Sequence, residues 1–272
     1  MMSEAAGPIA IFDSGVGGLT VAAAIARACP EEGFVYLGDT ARLPYGTKSP
    51  ETVTRYAVQA TRALMRFQPK MIVVACNTAS AVALPVLAAA YAPLPVVGVV
   101  EPGARAAVAA SRRGRIAVIA TEGTVRGGAY VRAIHALDAQ AKVVQRACPL
   151  FVALAEEGWT HGDVPELAAR KYLSDIFEGE TPPDTLVLGC THFPVLVDAI
   201  RKAVGPLVVL VDSAETVARE IASIVRASGG GAGPAAHRFL STDAPERFAR
   251  VGSQFFGSMI DPAQVELVDL SV

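Results

Sequence analysis

Short apolar runs alternate along the chain with Ala-rich stretches of helical length. The runs are rich in Ile and Val and are bounded by small or polar residues. This pattern predicts an α/β fold, in which buried parallel strands are joined by crossover helices. In the first part of the chain we predict strands at Ile9–Asp13, Phe34–Asp39, Met71–Ala75 and Val96–Val100.

The same series of runs occurs a second time in the same order. The second set predicts strands at Arg115–Ala120, Ala141–Gln145, Thr185–Gly189 and Val208–Asp212. The third run of each series leads into a cysteine followed by two polar residues, at Cys76 and at Cys190. We therefore predict two pseudo-equivalent domains, each a mainly parallel sheet flanked by helices, with the active site between them. Residues 1–100 plus 213–272 would form the first domain and residues 101–212 the second.

A Gly-rich stretch follows these eight runs. Gly229 to Gly233 predicts a flexible loop. A last strand at His237–Thr242 and a helix beginning near Ala244 would complete the chain.

Composition narrows the class of protein. The chain has 272 residues, 52% of them hydrophobic, and a formal net charge of −2, which suits two modest domains with buried cores. Its basic residues are scattered, so we expect a small-molecule substrate and no nucleic-acid partner.

Met71–Val100 carries no charge, but prolines and polar residues interrupt it, so we expect no membrane span. The first eight residues hold Glu4 and no Lys or Arg, and we expect a cytoplasmic protein without a secretory signal.

Four cysteines are present, but a long chain without an export signal lies where thiols stay reduced. No C-x-x-C spacing occurs, so a structural zinc site is not expected.

Cys76 and Cys190 fall at the carboxyl ends of predicted strands, where ligands bind in parallel sheets. A helix N-terminus there would favour the thiolate. A lone cysteine is more often a small buried hydrophobe, but two at equivalent positions favour a pair of proton acceptors.

Polar residues follow both cysteines. Asn77, Thr78 and Thr191 would offer side chains and backbone N–H groups to a carboxylate, although the same residues also serve as plain helix caps. His192 lies two residues after Cys190 and could polarise the thiol or bind substrate, the alternative being an ordinary buried polar residue.

The segment from Asp13 to Gly18 invites a dinucleotide-binding interpretation, with Asp39 as ribose ligand. That interpretation fails because Thr20 stands where the third glycine is required. Gly46 to Ser49 likewise lacks the order of a phosphate-binding loop. The glycines after Asp13 leave two alternatives, a tight turn or the close approach of a ligand.

Several motifs, taken in order, closely resemble those of the glutamate racemases in the aspartate/glutamate racemase superfamily, and the resemblance covers nearly the whole chain. The motifs are I-F-D-S-G-V-G-G-L-T-V (Ile11–Val21), G-D-T-A-R-L-P-Y-G-T-K-S (Gly38–Ser49), A-C-N-T-A-S-A (Ala75–Ala81), C-P-L-F-V-A-L-A-E-E-G (Cys148–Gly158) and G-C-T-H-F-P (Gly189–Pro194).

The resemblance implies interconversion of L- and D-glutamate without cofactor or metal, which supplies D-glutamate for peptidoglycan. It implies that Cys76 removes the α-proton from D-glutamate and Cys190 removes it from L-glutamate. Asp13 would assist Cys76, and His192 would assist Cys190. Inversion at carbon needs one such group on each face of the α-carbon, and the carbanion needs N–H donors and exclusion of water by domain closure.

The resemblance assigns further positions. Glu156 matches an acidic helper, with Glu157 beside it leaving the register open, and Asp39 matches a motif without a definite role. Ala153 stands where the family often has proline, and we expect it to change only a local turn. No long segment precedes Ile9, so we expect no activator-sensing extension. The substrate-contacting positions implied by the resemblance are Asp13, Ser14, Tyr45, Gly46, Asn77, Thr78, Thr121, Thr124, Thr191 and His192.

Three alternatives stay open at this point. The chain could be another member of the superfamily acting on aspartate, hydantoins or a related acid. It could be a non-catalytic metabolite-binding protein of the same bilobed shape. It could also be a thiol metalloenzyme with zinc on Cys76, Cys190 and His192. A homodimer is compatible with each of them.

Overall fold

The computed structural model describes residues 7–229 and 236–270. The strands are β1 Ile9–Asp13, β2 Phe34–Gly38, β3 Met71–Val74, β4 Val96–Gly98, β5 Arg115–Ala120, β6 Lys142–Ala147, β7 Thr185–Gly189, β8 Val209–Asp212, β9 His237–Ser241 and β10 Val265–Leu267. The α-helices are α1 Leu19–Ala28, α2 Pro50–Leu64, α3 Asn77–Tyr91, α4 Val100–Ala110, α5 Glu122–Gly127, α6 Ala129–Leu137, α7 Pro149–Glu156, α8 Asp163–Phe177, α9 Val197–Val204, α10 Ser213–Ala227 and α11 Pro245–Phe256. Short 3₁₀ turns lie at Thr40–Arg42, Tyr45–Thr47, Met65–Phe67, Phe193–Leu196 and Pro262–Gln264.

Two parallel sheets organise these elements. The first has the order β10-β9-β2-β1-β3-β4 and the second the order β6-β5-β7-β8. Every neighbouring pair of strands is parallel. The order β2-β1-β3-β4 in the first sheet matches β6-β5-β7-β8 in the second, so the repeat in the sequence is a repeat in topology. The α/β fold of two helix-flanked parallel sheets is confirmed.

The strand bounds differ from prediction mainly at carboxyl ends. The second strand stops at Gly38, the third at Val74 and the fourth at Gly98, because the residues beyond them already turn toward the next element. The last predicted strand ends at Ser241, and its helix begins at Pro245. The three-residue edge strand β10 carried no apolar alternation long enough to predict it. Of the predicted Gly-rich loop, residues 230–233 lie outside the described residues.

Burial follows the two-residue alternation of the strands. In the first sheet Ile9 and Ile11 point to one buried cluster, whereas Ala10 and Phe12 point to another on the opposite face. The cluster around Ile9 also contains Ile119 and residues of α10, so one apolar core continues from the first sheet to the second. This shared core fixes the two sheets beside each other.

The charge-free stretch Met71–Val100 forms β3, α3, β4 and the first residue of α4. Across residues 7–229 and 236–270, no helix has the length and apolar character needed to cross a membrane.

Candidate active site

A cavity of about 580 Å³ lies where loops from the carboxyl ends of both sheets meet. Both cysteines line it, one from each sheet. Predicted site residues among its lining are Ser14, Tyr45, Gly46, Cys76, Asn77, Thr78, Thr121, Glu156, Cys190, Thr191 and His192. The other two predicted residues, Asp13 and Thr124, are buried directly behind it.

Cys76 follows β3 and caps the N-terminus of α3. Its sulfur accepts a hydrogen bond from the Ala79 N–H at 3.4 Å and donates one to the Ser14 hydroxyl at 3.4 Å. Burial, followed by the negative charge of Asp13, raises the pKa of the Cys76 thiol to about 12. The helix N-terminus favours the thiolate as expected, through the Ala79 N–H, but desolvation and Asp13 outweigh it and the free protein holds the thiol.

Asp13 ends β1 and lies behind Ser14. Its Oδ2 accepts hydrogen bonds from the Gly15 N–H at 2.9 Å and from the Tyr36 hydroxyl at 3.3 Å. The structure places no hydrogen bond directly between Asp13 and Cys76 among the bonds it describes, so Asp13 acts on the thiol through its charge. Sequence reasoning missed Tyr36, because a tyrosine inside a buried strand carries no signal that separates it from the core.

The glycines after Asp13 serve close packing of side chains around the site. A Cβ on Gly18 would lie 2.6 Å from the Cβ of Asp13, and a Cβ on Gly17 would lie 2.3 Å from His192 Nδ1. Both distances are shorter than real Cβ contacts, so any other residue would force a neighbouring group to shift. The glycines thus let the loop after β1 contact the loop that follows β7 in the second sheet.

Cys190 is the first member of a linear relay of side chains. Its sulfur lies 3.8 Å from Nδ1 of His192, whose Nε2 lies 3.3 Å from Oε1 of Glu156. Oε2 of Glu156 in turn accepts a hydrogen bond from Arg247 at 2.8 Å. A charged imidazole donates from both nitrogens, so this geometry suits a protonated His192 between a sulfur and a carboxylate.

The electrostatics of the relay agree with that charge state. Burial alone would lower the pKa of His192, but the hydrogen bonds to Cys190 and Glu156 raise this pKa to about 10. The hydrogen bond from His192, together with the bond and charge of Arg247, lowers the pKa of Glu156 to about 2. At neutral pH an imidazolium therefore lies beside the Cys190 sulfur.

The segment after Cys190 differs from prediction. A 3₁₀ turn at Phe193–Leu196 follows β7, and the α-helix begins only at Val197. Thr191 therefore does not sit at the N-terminus of an α-helix as Asn77 does, and its carbonyl accepts a hydrogen bond from Thr20 at 3.1 Å. Cys76 lies at a helix N-terminus, whereas Cys190 lies beside the positive charge of His192.

Helix α7 settles two questions left by the sequence. Glu156 faces the cavity, whereas Glu157 is exposed at the end of the helix, so Glu156 is the acid of the relay. Ala153 lies within α7 and lines the cavity. The position therefore belongs to a helix beside the cavity and not to a turn. Arg247, on α11, was missed because it lies 91 residues from its partner and in none of the motifs.

Hydroxyl groups line the opposite part of the cavity. The Oγ1 atom of Thr78 lies 3.0 Å from that of Thr121 and 3.4 Å from that of Thr124. The Tyr45 hydroxyl donates to Oδ2 of Asp39 at 2.5 Å. Asp39 is fully buried and also pairs with Arg42 at 2.9 Å, so it holds Tyr45 in place from behind the cavity.

We also searched the described residues for side chains that could bind a metal ion together. Among the described residues, no group of three or more His, Cys, Asp or Glu side chains could hold one.

Comparisons with known proteins agree on one family. The model of the Asp/Glu/hydantoin racemase family matches residues 16–247. A glutamate racemase of Geobacter metallireducens is 53% identical over 264 residues, covering 95% of this chain and 96% of that protein. The structure of a Thermus thermophilus glutamate racemase in complex with β-chloro-D-alanine has a TM-score of 0.87 and 42% identity, with 99% of each chain covered. That of a Francisella tularensis glutamate racemase in complex with D-glutamate has a TM-score of 0.89 and 33% identity, with 98% of each chain covered.

Proposed function

Because the chain belongs to the Asp/Glu/hydantoin racemase family, within which it matches the glutamate racemases over almost its whole length, it is an isomerase, and we propose that it racemises glutamate through two cysteines. In this proposal Cys76 and Cys190 exchange protons with opposite faces of the α-carbon. The observation that carries it is the meeting of two free thiols, from equivalent strands of two sheets, at one cavity.

Conversion of L-glutamate would begin at Cys190. The thiolate of Cys190, stabilised by the imidazolium of His192, takes the α-proton and becomes a thiol. The electron pair left on the α-carbon then takes a proton from the Cys76 thiol on the other face, which gives D-glutamate and a Cys76 thiolate. The reverse reaction uses the same groups in the opposite roles.

The carbanion needs stabilisation after one thiolate has removed the α-proton and before the other thiol has returned one. Asn77 and Thr78 begin the fifteen-residue helix α3, so its N-terminal N–H groups would bind the α-carboxylate, onto which the negative charge spreads. The Thr121 hydroxyl, with Tyr45 and Gly46, would bind the second carboxylate, and Thr124 would hold the Thr121 hydroxyl from behind the cavity. Ser14 and Thr191 would border the α-carbon beside the two thiols.

This chemistry requires no cofactor and no metal ion, since proton acceptor and proton donor are both side chains. We propose that residues 1–100 with 213–272 form one domain, residues 101–212 the other, and that their closure excludes water. The pairing of β9 with β2 supports this division, and the Arg247–Glu156 ion pair would join the two domains beside the cavity.

The same proposal has a cellular part. A glutamate racemase in the cytoplasm would supply D-glutamate for peptidoglycan, and we propose that this chain does so, as a homodimer. Growth of a D-glutamate-requiring bacterial strain carrying this chain tests the first point. Light scattering of the purified protein tests the second.

The activity itself is tested with purified protein dialysed against a chelator. We expect it to convert L-glutamate to the racemic mixture with no addition, and to leave L-aspartate largely unchanged. Equal or faster racemisation of aspartate would assign the chain to a different substrate. Activity that returns only with pyridoxal phosphate or a metal ion would contradict the cofactor-free mechanism.

A further inference from the structure

A chain of buried hydrogen bonds lies behind Asn77, outside the cavity. The Asn77 side-chain amide donates from Nδ2 to the hydroxyl of Tyr130 at 2.8 Å. The Tyr130 hydroxyl contacts the Ser213 hydroxyl at 3.0 Å, and the Ser213 hydroxyl contacts the carbonyl oxygen of Leu188 at 2.9 Å. Asn77, Tyr130 and Ser213 are each at most 2% exposed.

The end of this chain fixes its direction. A backbone carbonyl only accepts, so the Ser213 hydroxyl proton points to Leu188. The Tyr130 hydroxyl must then donate its hydrogen bond to Ser213. Toward Asn77 the tyrosine oxygen can therefore only accept. A flipped amide would place its oxygen against an oxygen that has no proton to offer, and would leave a buried group unsatisfied. The amide of Asn77 therefore has one stable orientation, with Oδ1 on the side away from Tyr130.

Packing around Tyr130 indicates that its ring is held in place. A Cβ on Gly189 would lie 3.0 Å from the ring, and a Cβ on Gly103 would lie 3.3 Å from it. Gly189 immediately precedes Cys190, and Leu188 is the residue before Gly189. The hydrogen bonds thus run from the residue after Cys76 to Leu188 in β7, the strand that precedes Cys190.

One atom in this arrangement lacks a partner. Oδ1 of Asn77 is buried and accepts no hydrogen bond from the residues that the structure describes, and Asn77 lines the cavity. A buried acceptor without a donor is costly, and an arriving donor would relieve that cost. In a substrate that carries two carboxylates, the α-ammonium is the only such donor.

We propose that Tyr130 and Ser213 are positioning residues, which hold the Asn77 amide with Oδ1 available to the α-ammonium of the substrate. This inference rests on the proposed function, because it takes an α-amino acid as the ligand. Tyr130 and Ser213 do not line the cavity. They act only through Asn77.

The test is a double-mutant cycle on the full chain, with KM and kcat for both enantiomers of glutamate. We expect Tyr130→Phe and Ser213→Ala each to raise KM by about tenfold with a smaller change in kcat, since an unpaired buried group replaces a fixed one. In the background of Asn77→Ala, the same two substitutions should leave KM unchanged. Coupling of this kind is the signature of residues that act through a shared partner.

Tyr91→Phe is the matched control. Tyr91 is the last residue of the helix that Asn77 begins, and its substitution should leave KM at the wild-type value. Thermal unfolding of each variant detects a general loss of structure, which would lower kcat and stability without the coupling. Wild-type KM in Tyr130→Phe, or an equal rise of KM with and without Asn77, would overturn the inference. Absence of glutamate racemisation by the wild-type chain would instead refute the proposed function.

Discussion

The two cysteines occupy equivalent positions of the fold but different electrostatic environments. Cys76 is surrounded by neutral hydrogen-bonding groups and the carboxylate of Asp13, and its pKa is raised to about 12 by burial and by that charge. Beside Cys190 lies the imidazole of His192, whose pKa is raised to about 10 by hydrogen bonds that outweigh burial. In the free protein the Cys76 site thus favours the thiol, whereas the Cys190 site holds a positive charge beside the sulfur.

This difference in charge between the two cysteine sites exists before substrate binds. A racemase of the proposed kind needs one thiol and one thiolate in every turnover, and the surroundings of the two sulfurs already differ in charge. Asymmetry of the surroundings therefore serves a reaction that is itself nearly symmetric. The following experiments perturb the two sides in turn.

Loss of either thiol should have the largest effect. Cys76→Ser and Cys190→Ser should each reduce racemisation at least about 10³-fold, because a serine hydroxyl is a far weaker acid and leaves one face unserved. With a substrate analogue that carries chloride on the β-carbon, proton abstraction alone gives elimination. Cys76→Ser should keep elimination from the L form, and Cys190→Ser should keep it from the D form. The same enantiomeric preference in both variants would contradict the assignment of one cysteine to each enantiomer.

Removing the helpers should give a smaller and unequal effect. His192→Asn removes the buried positive charge beside Cys190, and we expect kcat/KM to fall about 100-fold. Ser14→Ala removes a neutral hydrogen bond from Cys76, and we expect a fall of about tenfold or less. Steady-state kinetics of the two variants measure both numbers. Equal losses would show that the charge of His192 is not what distinguishes the sides.

The Arg247–Glu156 ion pair should appear in the pH profile. The carboxyl pKa of Glu156 is lowered to about 2 by His192 and then by Arg247, so Glu156 stays charged until strongly acidic pH. Arg247→Gln removes one of these causes, and the loss of kcat/KM on acidification should begin at a higher pH than in the wild type. Arg250→Gln, an exposed arginine on the same helix, is the control and should keep the wild-type profile.

The same lowered pKa has a consequence for stability. A carboxyl whose pKa is lower in the folded than in the unfolded protein stabilises the fold above its unfolded pKa of 4.5, and this contribution is lost as pH falls toward 2. It amounts to at most about 3 kcal/mol. Glu156→Gln should therefore flatten the decline of Tm between pH 5 and pH 2 in scanning calorimetry, and an unchanged decline would contradict the charge state of the relay.

The smallest effect concerns Tyr45, which is held from behind the cavity. Asp39→Asn keeps the shape of the side chain but weakens the charged hydrogen bond to the Tyr45 hydroxyl. We expect KM for both enantiomers to rise about threefold with little change in kcat. Tyr45→Phe in the same assay should give a similar rise, and the double variant should add nothing further.

The sequence predicted the parts of the molecule that follow from local patterns. The eight strands of the repeat appear as predicted within two residues at each end, since apolar runs between small residues specify buried parallel strands. Their equivalence also predicted that Cys76 and Cys190 lie near each other. The edge strand β10 was missed because three residues are too few to show a period.

What the sequence did not reveal depends on contacts between distant residues. Tyr36, Tyr130 and Arg247 act through partners far away in the chain, and each resembles an ordinary core or surface residue when read locally. The prediction that a helix N-terminus favours the Cys76 thiolate was incomplete for a related reason. A helix N-terminus can be read from the sequence, whereas the depth of burial that outweighs it cannot.

The most direct test of the two-base account is racemisation of L-glutamate in deuterated water, analysed before a tenth of the substrate has reacted. Two separate thiols predict that the D-glutamate formed carries deuterium at the α-carbon, while the remaining L-glutamate keeps its proton. The product receives its hydrogen from Cys76, which exchanges with solvent, and the substrate hydrogen stays on Cys190. Deuterium in the remaining L-glutamate as fast as in the product, or substrate-derived hydrogen retained in the D-glutamate, would show that one base serves both faces and would contradict the account.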